Sequence, residues 1–481
     1  MKKSAAVLGI VVAVGVVYAA GSWYVGKRAQ GVIEQAVQQA NQRATGVLGP
    51  GATAGAFKVV IDDYQRHVFS SDVLLSIEFK GADGKPADFT MRNHLDHGPF
   101  PWSALHAGRY RPMLAYSLAQ LIPTAATQPW FDALKGESPV NALTRVEFSG
   151  AIHTRWRFKA LQYKNADGDV RFGGGFIGVD ADAGGKNGKF IGNFPSLSVG
   201  YPDTGERIDV QGVELQSVTT SPAADTTQIK SGGQVQSLDV VQPQGGQSIH
   251  VQKLGFQFDS TQKGHLLDAT LRYDLGRVGV GSADVGSITA GSSAMHLDTQ
   301  ALAALAGEYD ALRAKYGDDI ASSMSDDEAR ALRAKVLGLL SSHPVLALDP
   351  IVWKNDKGQS SFTLKLDLAA PQGDAASMDL LGFQALLPQV LQQINLNLSI
   401  SRPMFIEAAM QVAKAAGQPA SPLPGTMLFD QYAGKLQAQG LLRMQGDTAN
   451  AAIQYSKGRV EVNGSDMSVD EFVQKVLMSA M

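Results

Sequence analysis

A strict alternation of apolar and polar side chains, plainest in "INLNLSIS" (394–401), constrains this chain more than any other feature. Successive side chains of a strand point to opposite faces, so Ile394, Leu396, Leu398 and Ile400 share one face. The same period recurs in "FTLKLDL", with Phe362, Leu364, Leu366 and Leu368. It recurs again in "ADFTMRNHL", where Phe89 and Met91 oppose Thr90, Arg92 and His94. Turns such as "GADGKPAD" and "RFGGGF" punctuate these runs. The pattern predicts a β-rich α+β fold: a large, mainly antiparallel β body over 56–481 with a few accessory helices.

Helices are expected near 298–341, 403–416 and 468–479. In the first region Leu302, Leu305, Tyr309 and Leu312 stand at helical spacing, and Ser325-Asp326-Asp327-Glu328 opens a second helix as a capping box. Ser401, with Pro403 just behind it, starts the next helix, and Ser468 with Glu471 starts the last. Asn355–Gly358 is a hairpin turn. The polar stretch 219–234 reads as a loop or hairpin tip, and "GQPASPLPG" (417–425) as a loop.

The N-terminus addresses location. Lys2 and Lys3 precede an uncharged run from Ser4 to Gly26, long enough for the roughly 20 apolar residues a spanning helix needs. Trp23 and Tyr24 end it, where amphipathic rings favour the membrane interface, and Lys27 and Arg28 follow. We read residues 1–28 as a transmembrane signal-anchor, 29–55 as a helical stalk and linker, and the bulk as periplasmic, tethered to a bacterial inner membrane. Cleavage near Val17-Tyr18-Ala19, releasing the body to the periplasm, is the alternative.

With 42 Lys+Arg against 45 Asp+Glu, the chain lacks the basic footprint of a nucleic-acid partner. The absence of cysteine removes thiol catalysis and Cys-based zinc sites. "NHLDHGPFPW" (93–102) sets His94 close to His97, but residues three apart on a strand face opposite ways. His97, Gly98, Pro99 and Pro101 read instead as a structural bend, Gly98 supplying a positive φ and the prolines fixing theirs. Gly173, Gly175 and Gly178 have dinucleotide-fingerprint spacing without the helix that must follow. Asp180 and Asp182 begin a calcium-like loop that has Ile191 where its glutamate belongs. No Gly-x-Ser-x-Gly elbow or His-Glu-x-x-His helix is present. No cofactor or enzymatic activity is expected.

"GSWYVGKR", "YQRHVFSSDV", "HGPFPWSALHAGRYRPMLA", "HPVLALDPIVWKNDKGQSSFTLKLDL" and "GRVEVNG" occur in that order. Together they resemble the YdgA-like family of bacterial envelope proteins, apart from polar insertions near 180–190 and 220–235. The resemblance implies a Gram-negative inner-membrane protein of poorly defined function with no established catalytic residues. The expected role is a non-enzymatic envelope factor that shelters or transfers a lipid. The alternatives are a scaffold binding envelope proteins or itself and, last, an atypical hydrolase. The expected helices are too few to cover so large a sheet, so an apolar groove is expected on it.

Overall fold

Alternation becomes antiparallel pairing through the computed structural model, which describes residues 57–80, 86–164, 168–242, 246–317, 319–371 and 389–480, together with Gln30, Gly31, Glu34, Val37 and Gln38. The apolar run, with Trp23, Tyr24, Lys27 and Arg28, lies outside the described residues, as do 46–55 and 81–85. Among the described residues no helix is long and apolar enough to cross a membrane. The five described stalk positions are helical, and Gln30 Nε2 donates to Glu34 Oε1 one turn on at 2.9 Å.

The chain divides into two units: Met1–Pro202 with Val213–Thr220, and Asp203–Gly212 with Ser221–Met481. The first contains β1 (Phe57–Arg66), β2 (Ser70–Lys80), β3 (Pro86–His97), β4 (Ala115–Leu121) and β5 (Val140–Val146). It continues with β6 (Ile152–Phe158), β7 (Leu161–Lys164), β8 (Asp169–Phe172), β9 (Gly175–Ala181) and β10 (Gly188–Tyr201). Pairing is antiparallel throughout, in the order β1-β2-β3-β4-β5-β6-β9-β10-β8-β7. The order departs from the chain at β6, which pairs with β9, and β10 then pairs with β9 over Gly188–Asn193 and with β8 over Leu197–Gly200. Two short helices, α1 (Trp102–His106) and α2 (Gln128–Ala133), flank β4 in sequence.

Strand β11 (Glu206–Ala223) has residues in both units. The second unit continues with β12 (Thr226–Val241), β13 (Ile249–Lys263), β14 (Leu266–Val280) and β15 (Ala283–Asp298). Then come β16 (Val345–Asn355), β17 (Gly358–Leu368) and β18 (Leu391–Ser401). The last four are β19 (Arg443–Gln445), β20 (Thr448–Ser456), β21 (Arg459–Val462) and β22 (Ser465–Ser468). From β12 to β18 each strand pairs with the next, β18 pairs with β20, and β20 continues to β21 and β22. Of the two readings of 219–234, the structure has the hairpin tip: Ala224 and Asp225 turn between β11 and β12, and the rest is strand and not loop. Its threonines and glutamines form the ladder through their backbones, which does not require an apolar face.

Helices α3 (Thr299–Tyr316), α4 (Ile320–Ser323) and α5 (Asp326–Leu340) follow β15. Asp298 caps α3 through the Gln300 and Ala301 amides, and Ser325 with Glu328 forms the capping box of α5. Glu328 also accepts from Tyr316 Oη and pairs with Lys315, joining α5 to α3; the Lys315 ammonium and these hydrogen bonds pull its carboxyl down to about 2. Later come α6 (Arg402–Ala415), α7 (Pro422–Ala438) and α8 (Val469–Ala480). The loop read at 417–425 extends only to Ser421; helix α7, which was not expected, begins at Pro422. Pro422 and Pro424 lie in its first turn, where amides have no intrahelical acceptor, and Ser421 caps it. Gly425 sits where a Cβ would press on Ala409 of α6, so the two helices approach closely.

Candidate functional site

Backbone hydrogen bonds hold the bend at His97–Pro101. His97 is 1% exposed, and its Nε2 lies 3.1 Å from Ser71 Oγ, itself 0% exposed. A serine–histidine pair suggests a nucleophile and its base, but a sealed hydroxyl meets no substrate. Gly98 has φ +115°, its amide donates to the Leu114 carbonyl at 3.2 Å, and Met113 N donates to the Pro99 carbonyl at 3.1 Å. Pro101 stands at the N-cap of α1, where its carbonyl accepts from the Ala104 and Leu105 amides. The bend thus links the end of β3 to α1 and the start of β4. It leaves Trp102 70% exposed, with Phe69, Phe100 and Tyr110 also facing solvent.

His94 points the other way, with Nδ1 2.8 Å from Asp72 Oδ1 and Nε2 3.2 Å from Asp96 Oδ1. The hydrogen bond to Asp72, and then the Asp96 charge, hold its imidazole above the usual histidine range. Among the described residues no three His, Asp or Glu side chains are placed to hold a metal. A raised folded-state pKa adds stability that is complete below about 6.5 and lost as pH rises through the raised value. We therefore expect wild type to exceed His94→Gln in Tm at pH 6, with the gap closing in mildly alkaline buffer. The half-exposed ring limits the effect to under about 1 kcal/mol. A gap that widens with pH would contradict the assignment.

The calcium-like loop is a tight turn between β9 and β10. The Asp182 carboxylate accepts from the amides of Lys186 and Asn187 and from Asn187 Nδ2, at 2.9, 3.2 and 2.7 Å. These hydrogen bonds, Asn187 first, hold it below the usual carboxylate range. Gly174, between β8 and β9, has φ +77° and belongs to a turn between strands.

An apolar cavity in the first unit measures about 510 Å³. That is within the roughly 300–1,000 Å³ of small-ligand sites. Trp156 and Ile177, paired across β6 and β9, line it together with Met91 and Leu121, paired across β3 and β4. Phe172 of β8 and Trp130 of α2 contribute further wall. Trp130 stacks on Phe89, ring centroids 5.4 Å apart. These residues were not singled out from sequence. The signal was present in "IHTRWRFK" (152–159), where aromatic and cationic residues alternate along β6.

In the second unit the two apolar faces read from sequence are one. Register aligns Phe258, Leu271, Leu348, Leu364 and Leu396 across β13 to β18, with Ser292 of β15 in the same row. Leu346, Leu366 and Ile394 form the next row. Protein covers this face unevenly. Ile394 packs against Leu441 and Val460, and Ile400 against Phe429 and Leu442. Leu396 and Leu398 are half-buried, opposite Ile453 and Ala451 of β20. The open stretch lies on earlier strands: a trough of about 420 Å³ lined by Leu271, Leu346, Leu348, Leu364 and Leu366.

Fold and cavity define an antiparallel β protein of two units, one of which carries an apolar pocket. The chain belongs to the family described as bacterial protein of unknown function (DUF945), whose model matches residues 1–470. It is 26% identical to Protein YdgA of Escherichia coli (strain K12), over 100% of this chain and 98% of that one. It is 23% identical to the uncharacterised protein YihF of the same organism, over 99% and 98%. An uncharacterised Haemophilus influenzae protein is 26% identical over 36% of this chain and 46% of its own length. No solved structure matches significantly. The resemblance carried by "HGPFPW" and its companions extends over the whole chain.

Proposed function

We propose that this protein is a non-enzymatic envelope factor that shelters or hands on a lipid acyl chain. The observation that carries the reading is the 510 Å³ pocket in the first unit, walled by Trp156, Ile177, Met91 and Phe172. Apolar lining of that size costs free energy in water and is stabilised when a chain fills it. The trough of the second unit offers a further apolar surface. Membrane proximity is supported by the sequence of residues 1–28, and by the exposed rings of Phe69, Phe100, Trp102 and Tyr110, residue types that favour bilayer interfaces. The orientation, with the body in the periplasm of a Gram-negative cell, rests on Lys2 and Lys3 ahead of the apolar run.

One observation favours a second reading, a scaffold that binds other envelope proteins or itself. Leu423 and Met427, one turn apart on α7, are 62% and 63% exposed, an apolar side suited to a protein partner.

The test is gentle extraction of the full chain, organic extraction of the purified protein, and mass spectrometry. Stoichiometric acyl lipid that survives gel filtration is the expected result. Lipid-free protein that also fails to take up a fluorescent fatty acid would put the scaffold reading ahead.

A further inference from the structure

An acyl chain has a head, and the surroundings of the pocket indicate its chemistry. Phe158 and Lys159 line both the apolar pocket and an open polar cleft, so the two cavities meet at the end of β6. The period of the strand divides the lining. Trp156 and Phe158 turn to the pocket, while Arg155 and Arg157 turn to the cleft with Asn141 and Asn193. Three cations there face one carboxylate, Glu137, which is ion-paired to Lys159 and held below the usual carboxylate range by that lysine.

The two arginines differ from three other strand arginines. Arg171, Arg207 and Arg272 are each matched by an aspartate two residues away on the same strand: Asp169, Asp209 and Asp274. Along β6 the corresponding neighbours are His153, the other arginine, and Lys159. Among the described residues no carboxylate pairs with Arg155 or Arg157. Arg155 instead stands over Phe176, its guanidinium carbon 4.0 Å from the ring centroid. A cation–π contact of this kind leaves the guanidinium N–H groups available to an oxyanion.

We infer that the ligand is an anionic amphiphile, its chain in the pocket and its carboxylate or phosphate head against Arg155, Arg157 and Lys159. This rests on the pocket being an acyl site. A neutral lipid would leave the positive charge of the cleft uncompensated, whereas an oxyanion head neutralises it where the chain enters.

The experiment exposes the full chain to three probes that share one diazirine-bearing chain: palmitate, lysophosphatidylglycerol and neutral methyl palmitate. Crosslinks are counted by peptide mass spectrometry over Ile152–Ala181. At least one anionic probe is expected to label this segment about tenfold more than the ester, a difference of about 1.4 kcal/mol. Preference for palmitate alone names a carboxylate head, preference for the lysophospholipid alone a phosphate head, and preference for both a site that takes either. Arg155→Gln combined with Arg157→Gln should abolish the anionic advantage and leave ester labelling unchanged. Equal labelling of all three probes in wild type, or equal loss of all three in the variant, would overturn the head-group site while the acyl pocket stands. No labelling of the segment by any probe would remove the acyl pocket itself.

Discussion

Gly286→Val is expected to lower the stability of the second unit by about 3 kcal/mol or more, the sum of two effects at one position. Gly286 has φ +92°, and a β-branched residue there carries strain of order 1–3 kcal/mol. An added Cβ would also overlap the Lys354 carbonyl oxygen of β16, and forced overpacking adds roughly 1–3 kcal/mol. The backbone has little room to yield. Trp353 Nε1 donates to the Val285 carbonyl at 2.7 Å, and the Gly286 amide donates to Asp284 Oδ1 at 3.0 Å. Gly281→Ala separates the two effects: its φ is +58° but no neighbour lies within reach of a Cβ, so only roughly 1–2 kcal/mol should go. Urea unfolding followed by tryptophan fluorescence measures both. Similar midpoints for the two variants would show that β15 and β16 separate freely at this place.

Local chemistry was legible in the sequence wherever one segment suffices to specify it. Ser401 with Pro403, Ser325 with Glu328, and the Asn355–Gly358 turn each depend on residues within a few positions of one another. All appear in the structure, as the caps of α6 and α5 and the β16–β17 hairpin. Helix α7 was hidden because Pro422, Pro424 and Gly425 carry loop signals unless they fall in a first turn. What places them there is packing, since Phe429 and Ala433 bury against Leu442 and Ala449. In the polar run 219–234 composition marked the turn at Ala224 and Asp225 but hid the strand on either side of it, which backbone pairing makes.

The candidate site was less legible, because its parts come from distant segments. Alternation in "IHTRWRFK" separates Trp156 from Arg155, but nothing local brings Ile177, Met91 and Phe172 into the same wall. That depends on β6 pairing with β9 instead of β7, and on β8 joining the far end of β10. In the second unit, likewise, Leu366 opposite Ile394 is a fact of register. Two short apolar patterns thereby become one broad face, with its ends covered by protein and a trough left open between β14 and β17.

Ile177→Asp should weaken acyl-chain labelling of the first unit by about a hundredfold, or about 2.7 kcal/mol. Ile177 lines the pocket between Trp156 of β6 on one side and Gly192 of β10 on the other. A carboxylate there must keep its water or lose its charge, and either excludes an apolar chain from that part of the wall. The unit should stay folded, because Ile177 is only half-buried and the introduced group can hydrate through the open rim. Desolvation raises the pKa of such a carboxyl, so labelling should recover partly as pH falls below about 5, when the group is neutral. Leu364→Asp, in the trough of the other unit, should leave labelling of Ile152–Ala181 at its wild-type level. If Ile177→Asp labels as wild type does while its circular dichroism is unchanged, the acyl chain does not occupy this pocket. If Leu364→Asp alone abolishes labelling, the apolar face of the second unit is the primary site.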